Sequence, residues 1–96
     1  MAKQYMFSHP DQLKAIIPCC KDNTTHIVNT AKMWSVVMRQ GKTTWDGKIG
    51  VSFFSQGPER KACIFRHGTN GQRHVLGWLK YNTALKWCED NLEQTK

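Results

Sequence analysis

The stretch RKACIFRHGTNGQRHVLGW, residues 60–78, decides the fold: two apolar arms flank Gly68-Thr69-Asn70-Gly71. Branched and aromatic residues in the arms, with Asn-Gly between them, predict a β-hairpin. If Asn70-Gly71 is the centre of a two-residue turn, 69 opposes 72, 67 opposes 74, 65 opposes 76 and 63 opposes 78. One face then collects Cys63, Phe65, His67, His74, Leu76 and Trp78; the other collects Arg60, Ala62, Ile64, Arg66, Arg73, Val75 and Gly77. The first set is bulky and is expected against a helix. The second is small and basic and is expected to face outward. A three-residue loop would shift the pairing by one and mix the two sets, because strand side chains alternate with period two.

Working outward, KIGVSFF at 48–54 alternates in the same way. It adds Lys48, Gly50 and Ser52 to the small basic face, and Phe53-Phe54 places one ring on each side of the strand. SQGPE at 55–59 reads as a turn. Downstream, Leu85, Cys88 and Leu92 make a helical stripe flanked by Ala84 and Trp87, with Asn82 as the expected N-cap and Glu89, Asp90 and Glu93 outward. Tyr81, at the strand–helix junction, is expected to pack. Toward the N-terminus, the alternation of KMWSVVMR at 32–39 predicts a further strand, and QGKTTWDG at 40–47 a turn. CCKDNTTHIVNT at 19–30 reads as a connection with little regular structure. KQYMF at 3–7 predicts a short strand. Ser8 reads as the N-cap of a short helix with Asp11 three residues on, Pro10 in its first turn, Leu13, Ile16 and Ile17 as its stripe, and Pro18 as its stop. The expected architecture is α+β. An antiparallel β-meander of three to four strands carries a C-terminal helix on one face and a short N-terminal helix.

The chain has 96 residues, the length of a single domain, 1–96. Apolar residues make up 40% and charged residues 22%, with four Trp, which excludes a disordered chain. No apolar run approaches the roughly 18 residues of a spanning helix, and MAKQYMFSHPDQ lacks a signal-peptide core. Neither a membrane protein nor a secreted precursor is expected. The four cysteines, Cys19, Cys20, Cys63 and Cys88, are poorly spaced for a disulfide framework. Reduced thiols in the cytoplasm fit them best.

Fourteen bases against seven acids give a net charge of +7. The excess lies in residues 32–80, while 82–96 is slightly acidic. A basic middle points to a polyanion or a nucleoprotein assembly. Arg suits phosphate oxygens and guanine edges because its planar fork donates two parallel hydrogen bonds. Lys48, Arg60, Arg66 and Arg73 on the small face are the expected contacts, with Arg39 and Lys42 nearby in sequence. Trp45, in a polar basic loop, is placed to stack on a base or to anchor an interface. Trp34, Trp78 and Trp87 fit core positions.

Cys63-x-x-x-His67, with His74 and Cys19 or Cys20, has zinc-like residue types. No Cys-x-x-Cys or paired His motif supports it, and Cys63 and Cys88 sit on apolar faces, so no metal and no cofactor is expected. A Cys–His nucleophile lacks any local pattern, and no phosphate-binding glycine loop is present. An enzyme is not expected.

The strand–strand–strand–helix order over 34–92, ending LGWLKYNTALKWCED, resembles the sheet-plus-helix modules of integrase arm-binding and plant-type DNA-binding domains. The likeness is one of topology and carries over no residue. In size and composition the chain is also similar to small phage and mobile-element proteins, several of which inhibit host defence or transcription complexes. The expected function is non-enzymatic binding of DNA or RNA through a basic sheet face. The alternative is a phage-type inhibitor or adaptor that docks on an acidic surface of a nucleic-acid-handling host complex. An exposed sheet edge also permits a homodimer.

Overall fold

The computed structural model describes residues 3–21, 24–41, 48–55, 60–68 and 71–95. They form β1 (Lys3–Met6), α1 (Pro10–Ala15), a 3-10 turn (Ile17–Cys19), α2 (Thr25–Arg39), β2 (Ile49–Phe54), β3 (Lys61–His67), β4 (Arg73–Trp78), α3 (Tyr81–Asn91) and β5 (Glu93–Thr95). The strands build one antiparallel sheet in the order β4-β3-β2-β1-β5. The fold is α+β, with the β2-β3-β4 meander, the short N-terminal helix and the C-terminal helix in place. β5, which the sequence reading did not anticipate, adds an edge strand beside β1. No described helix is long and apolar enough to cross a membrane.

The largest correction concerns residues 32–39. They are not a strand but the second half of α2, whose first half occupies part of the expected connection. Ile27, Ala31 and Trp34 fall at i, i+4 and i+7. The first two are fully buried and Trp34 packs against the core. No Gly or Pro interrupts 25–39, so one helix can propagate through it. The alternation of Val36 and Met38 does not mark burial, since both side chains are exposed.

Local signals near the helix ends shift by one or two residues. At α1 the N-cap is His9, whose Nδ1 accepts the Asp11 backbone N–H at 3.1 Å. Ser8 instead donates its backbone N–H and hydroxyl to Gln12 Oε1, at 2.8 and 2.9 Å. α3 starts at Tyr81 with Lys80 as N-cap, two residues earlier than Asn82 implied. Past Pro18, the chain runs antiparallel to the end of β4: Lys80 N–H donates to Cys19 O at 2.8 Å and Lys21 N–H to Trp78 O at 3.0 Å.

α2 and α3 cover one side of the sheet. Tyr5, Val51, Ile64 and Gly77 form a row across four strands. Tyr5, Val51 and Ile64 are buried, and a Cβ on Gly77 would stand 3.0 Å from Ile27 Cδ1, so the glycine lets α2 settle onto β4. In the next row Phe53 packs edge-on against Tyr5 and against Tyr81 of α3, with ring centroids 5.8 and 5.6 Å apart. Lys3, on the same side, meets Glu89 of α3 at 3.9 Å. α1 contributes buried Leu13 and packs on α2.

This arrangement reverses the expected sides. The face of Ala62, Ile64 and Gly77 is the covered one, and no described helix packs on that of Cys63, Phe65 and His67. The sequence placed bulk under the helices, but small residues there allow close helix–sheet approach. The hairpin register differs as well. Cys63 pairs with Trp78 as expected and Ile64 with Gly77, but then Phe65 pairs with Val75, Arg66 with His74 and His67 with Arg73. Leu76 is the extra residue of a β-bulge. Gly68 N–H donates to Gln72 O at 2.8 Å, which closes a loop longer than the two-residue turn assumed.

The four thiols are free, and Cys19, Cys63 and Cys88 are buried. Burial pushes the Cys88 thiol from its ordinary value of 9.0 up to about 12, with the neighbouring Cys19 and Glu89 adding to the effect. Burial likewise raises Cys19 and Cys63, the latter partly offset by Arg73. In the unfolded chain these thiols ionise near 9, while the folded protein holds its protons. Unfolding therefore releases protons above that pH, and stability falls as pH rises. Thermal melts should be insensitive to these groups below pH 8.5 and should drop progressively from pH 9 toward 11. Cys88→Ala should flatten that slope even though the truncation lowers the midpoint overall. Melting temperatures constant to pH 11 would contradict the assignment.

Candidate functional site

The helix-free face is organised in rows set by strand pairing. Phe54 and Lys61 lie side by side at one end. Gln4, Ser52, Cys63 and Trp78 form the next row, followed by Met6, Gly50, Phe65 and Val75. His67 and Arg73 close the far end, where His67 N–H donates to Lys48 O at 2.9 Å. The β-bulge is what puts Val75 and Trp78 on the same side although three positions separate them.

The middle of this face has a packed floor. Gly50 has no side chain, and a Cβ there would come within 2.6 Å of Met6 Sδ and 2.9 Å of the Phe65 ring. Phe65 therefore lies down over the glycine and is buried despite being on the helix-free side. The Arg73 guanidinium sits over the Phe65 ring at 4.6 Å, and His67 meets its edge at 4.9 Å. Such a cation over an aromatic face is held in place without losing its charge. Ser52 Oγ, in the same buried layer, has no hydrogen-bond partner among the described residues.

Around this floor stand three exposed apolar side chains: Val75 at 54%, Trp78 at 44% and Phe54 at 40%. Trp78 is thus not the core residue the sequence suggested. Lys48 is exposed near Arg73, and Lys61 beside Phe54. Among the described residues no carboxylate pairs with Lys48, Lys61 or Arg73. Glu89 and Asp90 lie on α3; Glu93 pairs with Met6 and so shares this face, but on β5, the edge farthest from β4. β3 and β4 carry Lys61, Arg66 and Arg73 and no acid.

The basic residues singled out from sequence are therefore divided. Lys48 and Arg73 share the helix-free face. Arg66 is in the row of Ile49 and His74 on the other side. Arg60 lies over the Tyr81 ring at 5.5 Å, against α3. Arg39 ends α2. Lys42 and Trp45 lie outside the described residues. Sequence reasoning missed Lys61 and the exposure of Trp78, and it put Arg73 and Val75 on the side opposite Cys63 and Trp78. The signal for the last of these was Gly77 inside a strand, since an interior glycine commonly marks a bulge.

The zinc-like residues do not assemble. Cys63 and His67 lie two rows apart, His74 is on the opposite side and Cys19 is in the core. Among the described residues no group of three or more His, Cys, Asp or Glu side chains is placed to hold a metal ion. No family model, no curated protein and no solved structure matches this chain, which leaves its own residues and geometry as the grounds for a functional reading.

Proposed function

We propose that this chain is a small non-enzymatic nucleic-acid-binding domain whose binding surface is the helix-free face of the sheet. The observation that carries the reading is the conjunction on one face of exposed Trp78 and Phe54 with the cations Lys48, Lys61 and Arg73, none of them paired with a carboxylate among the described residues. Aromatic platforms and cations side by side suit a ligand with π-faces and phosphates. The net charge of +7 supports fast encounter with a polyanion.

Fluorescence anisotropy with labelled DNA and RNA at two salt concentrations tests it. Binding should weaken steeply with salt, because each neutralised phosphate releases counterions. The triple variant Lys48→Glu, Lys61→Glu, Arg73→Glu should lose most of the affinity, and each lost phosphate contact should reduce the salt slope by about 1. Lys86→Glu, on the exposed side of α3, is the control and should change little. Absence of binding at low salt, or a triple variant that binds normally, would reject the reading.

A second reading, a protein-docking inhibitor or adaptor, is favoured by α2. Its outer half exposes Met33 at 59% and Val36 at 41% beside Lys32 and Arg39. An apolar stripe rimmed by cations suits an acidic protein surface. It predicts that Met33→Asp with Val36→Asp abolishes a discrete protein complex while oligonucleotide binding persists.

A further inference from the structure

Resting on the nucleic-acid reading, we infer that the ligand of the helix-free face is an unpaired strand, with bases stacked on Trp78 and Phe54 and the backbone crossing Lys61 toward Arg73 and Lys48. The distribution of charge on the face carries this. The two central rows, Gln4-Ser52-Cys63-Trp78 and Met6-Gly50-Phe65-Val75, contain no cation. Among the described residues of the face, cations occur only at the ends, Lys61 on one side and Arg73 with Lys48 on the other, and the one acid, Glu93, stands at the far β5 edge. Six residue steps along β3 lead from Lys61 to His67, about 20 Å along the strand.

A duplex laid here would press its phosphates and sugars onto Val75, Trp78 and Phe54. Its base faces would stay hidden in the stack, so the exposed rings would gain nothing. An unpaired strand turns both facts to advantage. Its bases can leave the stack and cover the rings, and its phosphates can reach the cations at the ends. Phe54 and Trp78 lie two strands apart and one side-chain step along, so their Cα atoms are about 12 Å apart. That is too wide for one base to bridge, and Lys61 lies between the two platforms, so each ring takes its own base. Stacking makes no use of base edges, so affinity should depend little on sequence.

The test compares a single-stranded oligonucleotide, the same sequence as a closed hairpin duplex, and an abasic strand of equal length and charge. The intact strand should bind at least about tenfold more tightly than either of the others. Trp78→Ala and Phe54→Ala should each weaken binding to the intact strand by roughly 5- to 100-fold, and Trp78→Phe should restore most of the loss. Neither alanine variant should alter binding to the abasic strand. Both side chains are exposed, so circular dichroism melts should be near wild type and would separate loss of the site from loss of the fold. Equal or tighter binding of the duplex, or of the abasic strand, would overturn the single-strand inference and leave the nucleic-acid reading intact. Failure to bind any of the three at low salt would overturn both.

Discussion

Phe53→Ala should remove about 3–5 kcal/mol of stability, read as a lowered denaturation midpoint at unchanged slope. Phe53 is almost completely buried at the centre of the helix–sheet interface. Its ring is held edge-on between Tyr5 of β1 and Tyr81 of α3, and aromatic pairs in this geometry contribute beyond their buried area. Truncation leaves a cavity that β2, paired on both sides, cannot collapse to fill. Domains of this size are stable by only about 5–15 kcal/mol in total, so a fifth of the stability or more rests on this ring. A loss below about 1 kcal/mol would show that the helices do not pack on this side of the sheet as described.

The double variant Trp78→Ala, Phe54→Ala should weaken binding to an unpaired strand by about 30-fold to 10⁴-fold. Each stacked base contributes about 1–3 kcal/mol, and about 1.4 kcal/mol corresponds to tenfold in affinity. The two rings share no described contact and their Cα atoms lie about 12 Å apart, so their effects should be nearly additive. Contrast with the charge variants is informative. Removing rings should lower affinity at every salt concentration in similar proportion, whereas removing cations should flatten the salt dependence. A double variant no weaker than either single one would mean that only one ring touches the ligand.

Much of the sheet was legible because its signals are local. The alternation in 48–54 and 60–67 and the loop glycines at 68 and 71 place β2, β3 and β4 in their order, and the 63–78 pair survives in the structure. The sides of the sheet were not legible. Alternation assigns residues to two faces but does not say which face the helices take. Here Gly77 and Ala62 admit the helices, while Phe65 is buried on the other side by lying over Gly50. The bulge at Leu76 then moved Arg73 and Val75 across, which divided the expected basic cluster. α2 was missed because Trp34, Val36 and Met38 satisfy period two by chance, whereas the helical signal of Ile27, Ala31 and Trp34 begins before the window in which it was sought. Of the expected contacts, Lys48 and Arg73 remain on one face because both border the far row of β3.

The most direct test of the central claim is to follow backbone amide and Trp indole resonances by heteronuclear NMR as an unlabelled single-stranded oligonucleotide is added. The account predicts that perturbations gather on 48–54, 61–67 and 73–78, with the Trp78 indole among the largest shifts and α2 and α3 nearly silent. Perturbations centred on α2, or on Arg60 and Arg66 at the helix-covered side, would contradict it.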